Sequence, residues 1–365
     1  MGGNALNKVV ASRINLEQYN RVKRDLEEKF NQYLESEFTI DVPGKIDFGD
    51  IDMLYVVKNK IDSIWNVDMI DFDIVQLITQ IYNPVDIVLN GPVCSFAYYL
   101  HDDNKYFQVD LIKVEDLPMS RFYFSYGDLG GIIGRLTQHK SVVYGSRGLW
   151  VNPNQETINK FLSANQIEMQ VNKDLIIKSI LPNIILSNKP DQICEYLGLD
   201  WNEWVKGFSS KQEIFEWVTK SPWFKLDSFR ALDYEHRNRV NSRPMYQDFL
   251  KYIFIDEPNF SIEKGNSSKY ININLQLESL EYFGKTYILA EEILSIEKRL
   301  LRKEKFSGKK FLDLGIESKQ IKKNLDNFKL YIETSTGLDF EIWLDISSSE
   351  EIDIQIGKFM NKKIE

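Results

Sequence analysis

Histidine and cysteine, the residues that most often bind zinc, are scarce in this chain. Its 365 residues include three histidines and two cysteines, Cys94 and Cys194, which allow no zinc-ligand spacing. No apolar run approaches the ~18 residues that a membrane span needs, and the N-terminus lacks the apolar core of a secretory signal. We therefore expect reduced cysteines, no membrane segment and a cytoplasmic location.

An excess of basic residues is also missing. The formal net charge is −9, so composition does not dictate a broad nucleic-acid-binding face, although local basic clusters remain compatible with one. With so few sulfur and imidazole ligands, a bound metal would rest on carboxylates. That donor chemistry favours Mg²⁺ or Mn²⁺.

Hydrophobic periodicity predicts alternating helices and strands in the first 150 residues. Helical spacing covers 16–34 and 68–82, and strand-like runs cover 38–43, 51–57 and 85–90. Two further strand-like runs, 96–101 and 106–114, flank a polar turn at 102–105 and predict a hairpin. This order predicts an α+β fold with a mixed sheet and flanking helices.

After about residue 150 the pattern is mainly helical. Segments with helical spacing are 155–165, 191–198, 202–208, 211–220, 243–254, 275–305 and 317–330, and the polar stretch 256–270 is typical of an exposed loop. We therefore expect two domains, one at 1–150 built on the sheet and a mainly α-helical one at 151–365.

A pair of acids follows a glycine-containing turn in the segment GKIDFGDIDML, residues 44–54. Because side chains alternate along a strand, Asp50 and Asp52 share one face while Ile51 points to the other. Their Cα atoms are roughly 6–7 Å apart from the rise per residue, which lets both carboxylates reach one cation. The alternative is a chance Asp-x-Asp pair in a chain rich in aspartate.

A third acid, Asp110, stands alone in the apolar run FQVDLI. An isolated carboxylate in a buried strand is costly unless something compensates it. A neighbouring strand with Asp50 and Asp52, together with two metal ions about 3.5–4 Å apart, would compensate it and clamp an in-line phosphoryl displacement. The alternative is that Asp110 is an ordinary hydrogen-bonded residue of an edge strand.

These three acids resemble the pattern of the DNA polymerase β-like nucleotidyltransferase superfamily, which includes poly(A) polymerases and tRNA CCA-adding enzymes. The resemblance covers about residues 16–115. The stretches GGNAL, VPGKIDFGDID, GSRGLW and EYLGLD are also similar to a poorly characterised group found in phages, large DNA viruses and fungi. The resemblance to the superfamily implies a nucleotidyltransferase core and an NTP as substrate. It also implies that Asp50, Asp52 and Asp110 are the catalytic metal ligands.

One departure from the family pattern concerns the turn that grips the triphosphate. The usual Gly-Ser dipeptide is replaced by Pro43-Gly44-Lys45, with only five residues between Gly44 and Asp50. Backbone N–H groups at Gly44 can still approach a phosphate. We therefore expect Gly44, Lys45 and Gly49 to bind nucleotide, with a solvated turn lysine as the alternative for Lys45.

Three basic residues follow the acid strands, at positions where such enzymes often bind triphosphate: Arg135, Lys140 and Arg147. Ordinary surface charge is the alternative for each. Aromatic residues nearby, Tyr123, Tyr126 and Trp150, either stack on a base or pack in the core, and the core is the commoner fate. His236 has no nucleophile partner in the sequence, so we assign it no catalytic role.

A basic segment near the C-terminus, residues 298–310, carries seven basic residues and one acid. Neutralisation of phosphates is the general source of RNA affinity, so this segment predicts RNA binding by its lysines and arginines. A solvated helix face is the alternative. The predicted RNA-binding residues are Lys298, Arg299, Arg302, Lys303, Lys309 and Lys310.

Three functions remain open at this point. The first is template-independent transfer of NMP to the 3′ hydroxyl of an RNA, such as a tRNA or a tailed RNA. The second is NMP transfer to a protein or small molecule, and the third is an inactive nucleotidyltransferase fold that binds RNA. The sequence gives no preferred NTP and no oligomeric state.

Overall fold

The structure is a computed structural model, and it describes residues 3–58, 73–138, 140–232, 240–257, 260–264 and 272–362. Two compact units are formed by segments that alternate along the chain. Unit 1 comprises Met1–Val151 and Ile185–Ser279, and unit 2 comprises Asn152–Ile184 and Leu280–Glu365. The helical segment 185–279 thus shares a unit with the sheet, while the predicted functional division at residue 150 stays a prediction.

The first helix of unit 1, α1, spans Leu16–Phe30. Its first turn is fixed by a capping box, in which Asn15 and Gln18 each accept the other's backbone N–H. Tyr19, Val22 and Leu26 recur at helical spacing and are buried. Helix α1 therefore presents one continuous apolar face to the sheet.

Five strands form the central mixed sheet, in the order β2-β4-β7-β6-β5. They span Leu34–Phe38 (β2), Asp50–Val57 (β4), Ile87–Asn90 (β5), Val93–Leu100 (β6) and Lys105–Lys113 (β7). Strands β4 and β7 are parallel, and the other neighbours are antiparallel. The short strands β1 (Ile14–Asn15) and β3 (Asp47–Phe48) pair separately.

Different elements pack against the two faces of this sheet. Alternate residues of β4 and β7, such as Ile51 and Val109, join the core that α1 and α2 (Ile74–Tyr82) complete. On the other face, Leu54 and Ile112 pack with Leu117 at the start of α3. The acids Asp50, Asp52 and Asp110 alternate with the first set, so they lie on the face opposite to α1 and α2.

The remaining described segments of unit 1 form helices and two small sheets. Helices are α3 (Leu117–Phe124), α4 (Leu129–Gln138), α7 (Pro190–Leu197), α8 (Trp201–Lys206), α9 (Lys211–Thr219), α10 (Pro244–Ile253) and α11 (Ile273–Tyr282), whose last residues lie beyond the unit. A sheet ordered β10-β9-β8 uses Val143–Gly145 (β8), Gly148–Val151 (β9) and Ile184–Ser187 (β10), and Ala231–Leu232 (β11) pairs with Glu263–Lys264 (β12).

Unit 2 has a core of its own, rich in aromatic residues. Phe306, Phe311, Phe328, Phe340 and Trp343 are buried together in it. Its helices are α5 (Gln155–Ala164), α6 (Lys173–Ile177), α12 (Thr286–Lys305), α13 (Lys309–Asp313), α14 (Ile321–Thr336), α15 (Phe340–Ile346) and α16 (Ser349–Lys362). All residues of this core belong to unit 2.

The predicted α+β class and the mixed sheet with flanking helices are confirmed. Some predicted boundaries were wrong. Helix α1 ends at Phe30, and β2 occupies 34–38 rather than 38–43. The helix predicted at 275–305 is two helices, because Gly284 has a φ of +61° between them.

Several predictions concern residues that the structure does not describe. The start of the helix predicted at 68–82, part of the loop 256–270, and His236 lie outside the described residues. Among the residues that are described, no helix has the length and apolar character needed to cross a membrane.

Candidate functional site

The three predicted acids come together on one face of the sheet. In the parallel register of β4 and β7, Asp52 lies opposite Asp110, and Asp50 lies opposite Gln108. Adjacent strands are about 4.8 Å apart, and paired residues of a parallel ladder point to the same face. Asp50, Asp52, Gln108 and Asp110 therefore form a four-residue cluster, here called the polar square.

Burial and neighbouring charges both disfavour the ionised form of Asp52. Burial, followed by the charges of Asp50 and Asp110, raises the pKa of Asp52 to about 7. Burial also raises the pKa of Asp110, while hydrogen bonds from Ser95 and Gln108 oppose that rise. The face thus concentrates negative charge that a cation would neutralise.

Gln108 was not predicted as a site residue. It is buried at 2% exposure, and its amide nitrogen donates to both carboxylate oxygens of Asp110 at 3.0 Å each. Its sequence position, two residues before Asp110 on the same strand, was the available signal, because residues at that spacing share a face. On these two strands only the acids were predicted as site residues, so Gln108 was missed.

A segment near the N-terminus runs along the polar square. The backbone N–H of Gly3 donates to Asp50 Oδ2 at 3.2 Å, and that of Ala5 donates to Gln108 Oε1 at 2.8 Å. Gly3 has a φ of +88°, and a Cβ there would lie 2.5 Å from the Gly49 carbonyl oxygen. Only glycine fits this close approach without displacement.

The donor chemistry of the square suits a hard divalent cation, since carboxylate oxygens are the ligands that Mg²⁺ and Mn²⁺ prefer. Within the described part of the chain, however, no group of three or more His, Cys, Asp or Glu side chains is arranged as a metal site. Gln108 and Gly3 are hydrogen-bonded to Asp110 and Asp50 respectively. Metal binding by Asp50, Asp52 and Asp110 therefore stays a prediction.

Lys45, in the turn before the acids, lies beside the square. Its Nζ is 2.7 Å from Asp41 Oδ1 and 4.8 Å from the centroid of the Phe48 ring, and its charge lowers the pKa of Asp52. Asp41 also accepts a hydrogen bond from the Tyr19 hydroxyl. Gly44 has a φ of +77° with open space around it, and Gly49 is buried between β3 and β4.

The other residues predicted to bind nucleotide make contacts elsewhere in unit 1. Arg135 donates to the carbonyl oxygen of Ser228. Lys140 Nζ lies 3.2 Å from the centroid of the Trp223 ring, and Arg147 stacks over Trp150 at 5.4 Å. Their predicted role in nucleotide binding remains a prediction.

Of the aromatic residues considered for base stacking, Tyr126 is 2% exposed. Its ring packs against Trp204 and Phe208, so it belongs to the core. Tyr123 is half-buried and packs against Tyr144.

The predicted RNA-binding residues of unit 2 fall into two sets. Arg302 is hydrogen-bonded to Asp345 through Nε and Nη2, both at 2.7 Å, and Lys310 pairs with Asp353 at 2.5 Å. The second set is exposed on α12 and α13: Lys298, Arg299, Lys303 and Lys309.

Comparisons with known proteins add a limited finding. No protein-family model and no curated protein matches the chain. Among solved structures, polymerase beta of Leishmania infantum in a ternary gap complex is similar over 52% of this chain and 69% of that chain. The identity is 11% and the TM-score 0.35. A similarity at this identity and TM-score does not assign a function, so the functional interpretation of the site depends on its geometry.

Proposed function

We propose that this chain is a metal-dependent nucleotidyltransferase that moves NMP from an NTP to the 3′ hydroxyl of an RNA. The observation that carries the proposal is the register of β4 and β7, which sets Asp52 opposite Asp110 with Asp50 on the same face. Three carboxylates thus share one face of two neighbouring strands, although Asp110 stands almost sixty residues after the other two. Carboxylate oxygens are the ligands that a hard divalent cation prefers.

In this proposal the residues of the polar square hold the metal and orient the reactants. Asp50, Asp52 and Asp110 supply the oxygen ligands. Divalent ions, when bound, lower the pKa of an attacking hydroxyl and stabilise a leaving pyrophosphate. The raised pKa of Asp52 supports this role, since the ionised form of that carboxylate is disfavoured until positive charge is nearby.

The glycine-lysine turn is the proposed contact for the triphosphate. Lys45 places a cation beside Asp52, where the charge of a bound phosphate would compete with Asp41 for it. The positive φ of Gly44 and the open space around it leave its backbone accessible to an anion. Phosphate binding at this turn compensates for the missing Gly-Ser hydroxyl.

The proposed RNA-binding surface is the exposed basic set of unit 2, which comprises Lys298, Arg299, Lys303 and Lys309. Since the remaining charge of the chain is predominantly acidic, an RNA backbone would be attracted to this local basic surface. Arg302 and Lys310 contribute less in this proposal because acids already pair with them.

The test is incubation of the full chain with each labelled NTP, Mg²⁺ or Mn²⁺, and RNA without a template. The expected result is release of pyrophosphate and an RNA lengthened at its 3′ end. Asp110→Asn should abolish this product, and Asp313→Asn, which changes an exposed acid of unit 2, should not.

Other outcomes would replace the proposal by one of its alternatives. Label in protein or in small solutes would show a different acceptor. RNA binding with no product from any NTP would indicate an inactive RNA-binding fold.

A further inference from the structure

Gln108 occupies the fourth position of the polar square, opposite Asp50 and two residues before Asp110 on β7. It is the uncharged member of that set, and at 2% exposure its amide has little access to water. A buried amide needs partners for its donors and its acceptor. Those partners determine which way the amide faces.

The orientation of this amide follows from Ala5. A backbone N–H can only donate, so the atom that lies 2.8 Å from the Ala5 nitrogen must be the amide oxygen. The NH₂ group then faces Asp110, 3.0 Å from each carboxylate oxygen. Since a carboxylate can only accept when ionised, donor and acceptor are matched at both ends of the side chain.

We propose that Gln108 is a positioning residue, whose amide holds the carboxylate of Asp110 in the orientation that the transfer reaction requires. This inference rests on the function proposed above. Asp52 faces Asp110 across the strands, and their repulsion would turn an unrestrained carboxylate away. The Gln108 amide opposes that rotation because it bonds both oxygens at once.

A carboxylate that is already oriented loses less conformational freedom when it binds a cation, so the fixed geometry increases affinity. Hydrogen-bonded partners behind metal ligands commonly change metal affinity by about 10–100-fold when removed. Gln108 has the arrangement of such a partner, and Ala5 in turn fixes Gln108.

Asp86 offers a matched control. Its Oδ2 accepts the backbone N–H groups of Asn7 and Lys8 at 2.6 and 2.5 Å, so it fastens the same N-terminal segment. Asp86 is also buried, at 2% exposure. Loss of Asp86 therefore tests the attachment of the segment, whereas loss of Gln108 tests the orientation of Asp110.

The experiment measures Mn²⁺ binding to the full chain by electron paramagnetic resonance, without NTP or RNA. Gln108→Met keeps the length of the side chain and removes its donors. It should weaken Mn²⁺ binding by about 10-fold or more. Asp86→Ala loosens the segment that carries Ala5 but keeps both hydrogen bonds from Gln108 to Asp110, so it should weaken Mn²⁺ binding clearly less. Thermal unfolding of both variants monitors folding.

A transfer assay provides the second readout. For Gln108→Met the Mn²⁺ concentration at half-maximal rate should rise, and KM for NTP at saturating Mn²⁺ should stay unchanged. A merely structural role would lower Tm and change both quantities alike. It would also give Asp86→Ala the same loss of Mn²⁺ binding, and that result would overturn the proposal.

The results separate this inference from the proposed function. If the parent transfers NMP and Gln108→Met binds Mn²⁺ as tightly as the parent, positioning by Gln108 is wrong and the transferase function stands. If the parent transfers nothing but Gln108→Met still weakens Mn²⁺ binding, Gln108 orients Asp110 for a cation in a different reaction. A parent chain that binds no Mn²⁺ would overturn both.

Discussion

Asp52 and Asp110 lie directly opposite each other on the adjacent parallel strands β4 and β7. Two carboxylates at that separation repel each other, and Asp50, on the same face, adds to the repulsion. Burial together with these neighbours raises the pKa of Asp52 to about 7. The fold therefore keeps like charges together at a cost to its stability, which is common where function sets the residue.

Replacement of Asp52 by Asn should remove this destabilising repulsion. The folded pKa of Asp52 lies above its ordinary value of about 3.9, so the folded state binds this proton more tightly than the unfolded state does. The resulting stability is fully present below pH ~4 and is lost as pH rises through ~7. Asp52→Asn should therefore gain Tm relative to the parent as pH rises from 5 to 8.

The measurement is thermal unfolding in a chelator at both pH values, where ~1 kcal/mol corresponds to ~2–4 °C. Asp313→Asn, at an exposed position of unit 2, should show no such trend. In the transfer assay Asp52→Asn should lose about 10²-fold or more of its activity, as expected when a charge-stabilising group is removed. Equal Tm differences at pH 5 and 8 would refute the raised pKa.

In unit 2, replacement of Arg302 should affect stability, whereas replacement of Arg299 should affect RNA binding. Arg302 bonds Asp345 through two nitrogens and also pairs with Glu341. Arg302→Met should lower stability by up to about 1 kcal/mol, since the pair is partly exposed. Arg299 is exposed on the same helix, so Arg299→Met should leave stability unchanged and weaken RNA binding.

The pH dependence of Arg302→Met tests the same contact. Hydrogen bonds from Arg302 lower the pKa of Asp345 below its ordinary range. The contribution of this pair is therefore present above the ordinary carboxyl pKa and is lost as pH falls through the lower folded value. The Tm difference between the parent and Arg302→Met should therefore shrink as pH falls below the ordinary carboxyl range, and a constant difference would show that Asp345 is not the partner.

Salt dependence should identify the acceptor surface. If Lys298, Arg299 and Lys303 contact phosphates of a single strand, their combined replacement by alanine should reduce the slope of log K against log salt by about 2. Filter binding between 50 and 200 mM salt measures it.

As a control, the exposed residues Lys206, Lys225 and Lys251 of unit 1 are replaced together. An equal reduction of the slope in this control would show that the effect is one of net charge.

The sequence predicted the elements that carry strong local signals and missed those that depend on distant contacts. Alternation in the run around Asp110 placed it on a strand face, and the register that sets it opposite Asp52 agrees. Gln108 was missed although strand alternation places it on the same face as Asp110. Its hydrogen bond from the backbone of Ala5 joins residues more than one hundred positions apart, and local periodicity does not reveal such a contact.

The basic segment 298–310 shows the same limit. The sequence gives its charges, but only the fold shows that α15 supplies Asp345 and Glu341 to Arg302. The same holds for the turn GSRG, residues 145–148. It connects β8 and β9, and β10 pairs on the far side of β9.

Two glycines should respond to alanine in opposite directions. Gly148 begins β9 with a φ of +111°, and a Cβ there would lie 2.2 Å from the carbonyl oxygen of Ser187. Gly148→Ala should destabilise unit 1 by more than about 1 kcal/mol, because neither the backbone nor its neighbour can yield.

Gly134 lies inside α4, and its Cβ would meet open space. Gly134→Ala should stabilise the helix by about 0.5–1 kcal/mol. Urea unfolding of both variants measures the difference. A Gly148→Ala protein as stable as the parent would mean that β9 and β10 are not packed as described.

Lys45 is the predicted triphosphate contact, and a second lysine, Lys29, makes the same kinds of contact. Lys45 pairs with Asp41 four residues earlier and lies over the Phe48 ring. In the same way Lys29 pairs with Asp25 four residues earlier and lies over the Tyr82 ring. Lys29 is in the last turn of α1, about 15 Å along that helix from Tyr19, the partner of Asp41.

Lys45→Met and Lys29→Met should therefore affect stability alike and catalysis differently. Both ion pairs are partly exposed, so each change should cost less than about 1 kcal/mol. Only Lys45→Met should raise KM for NTP, by about 10-fold, the loss expected for a charged contact worth about 1.4 kcal/mol. Steady-state kinetics at saturating Mn²⁺ measures this change, and an equal rise in KM for both variants would show that Lys45 does not contact the triphosphate.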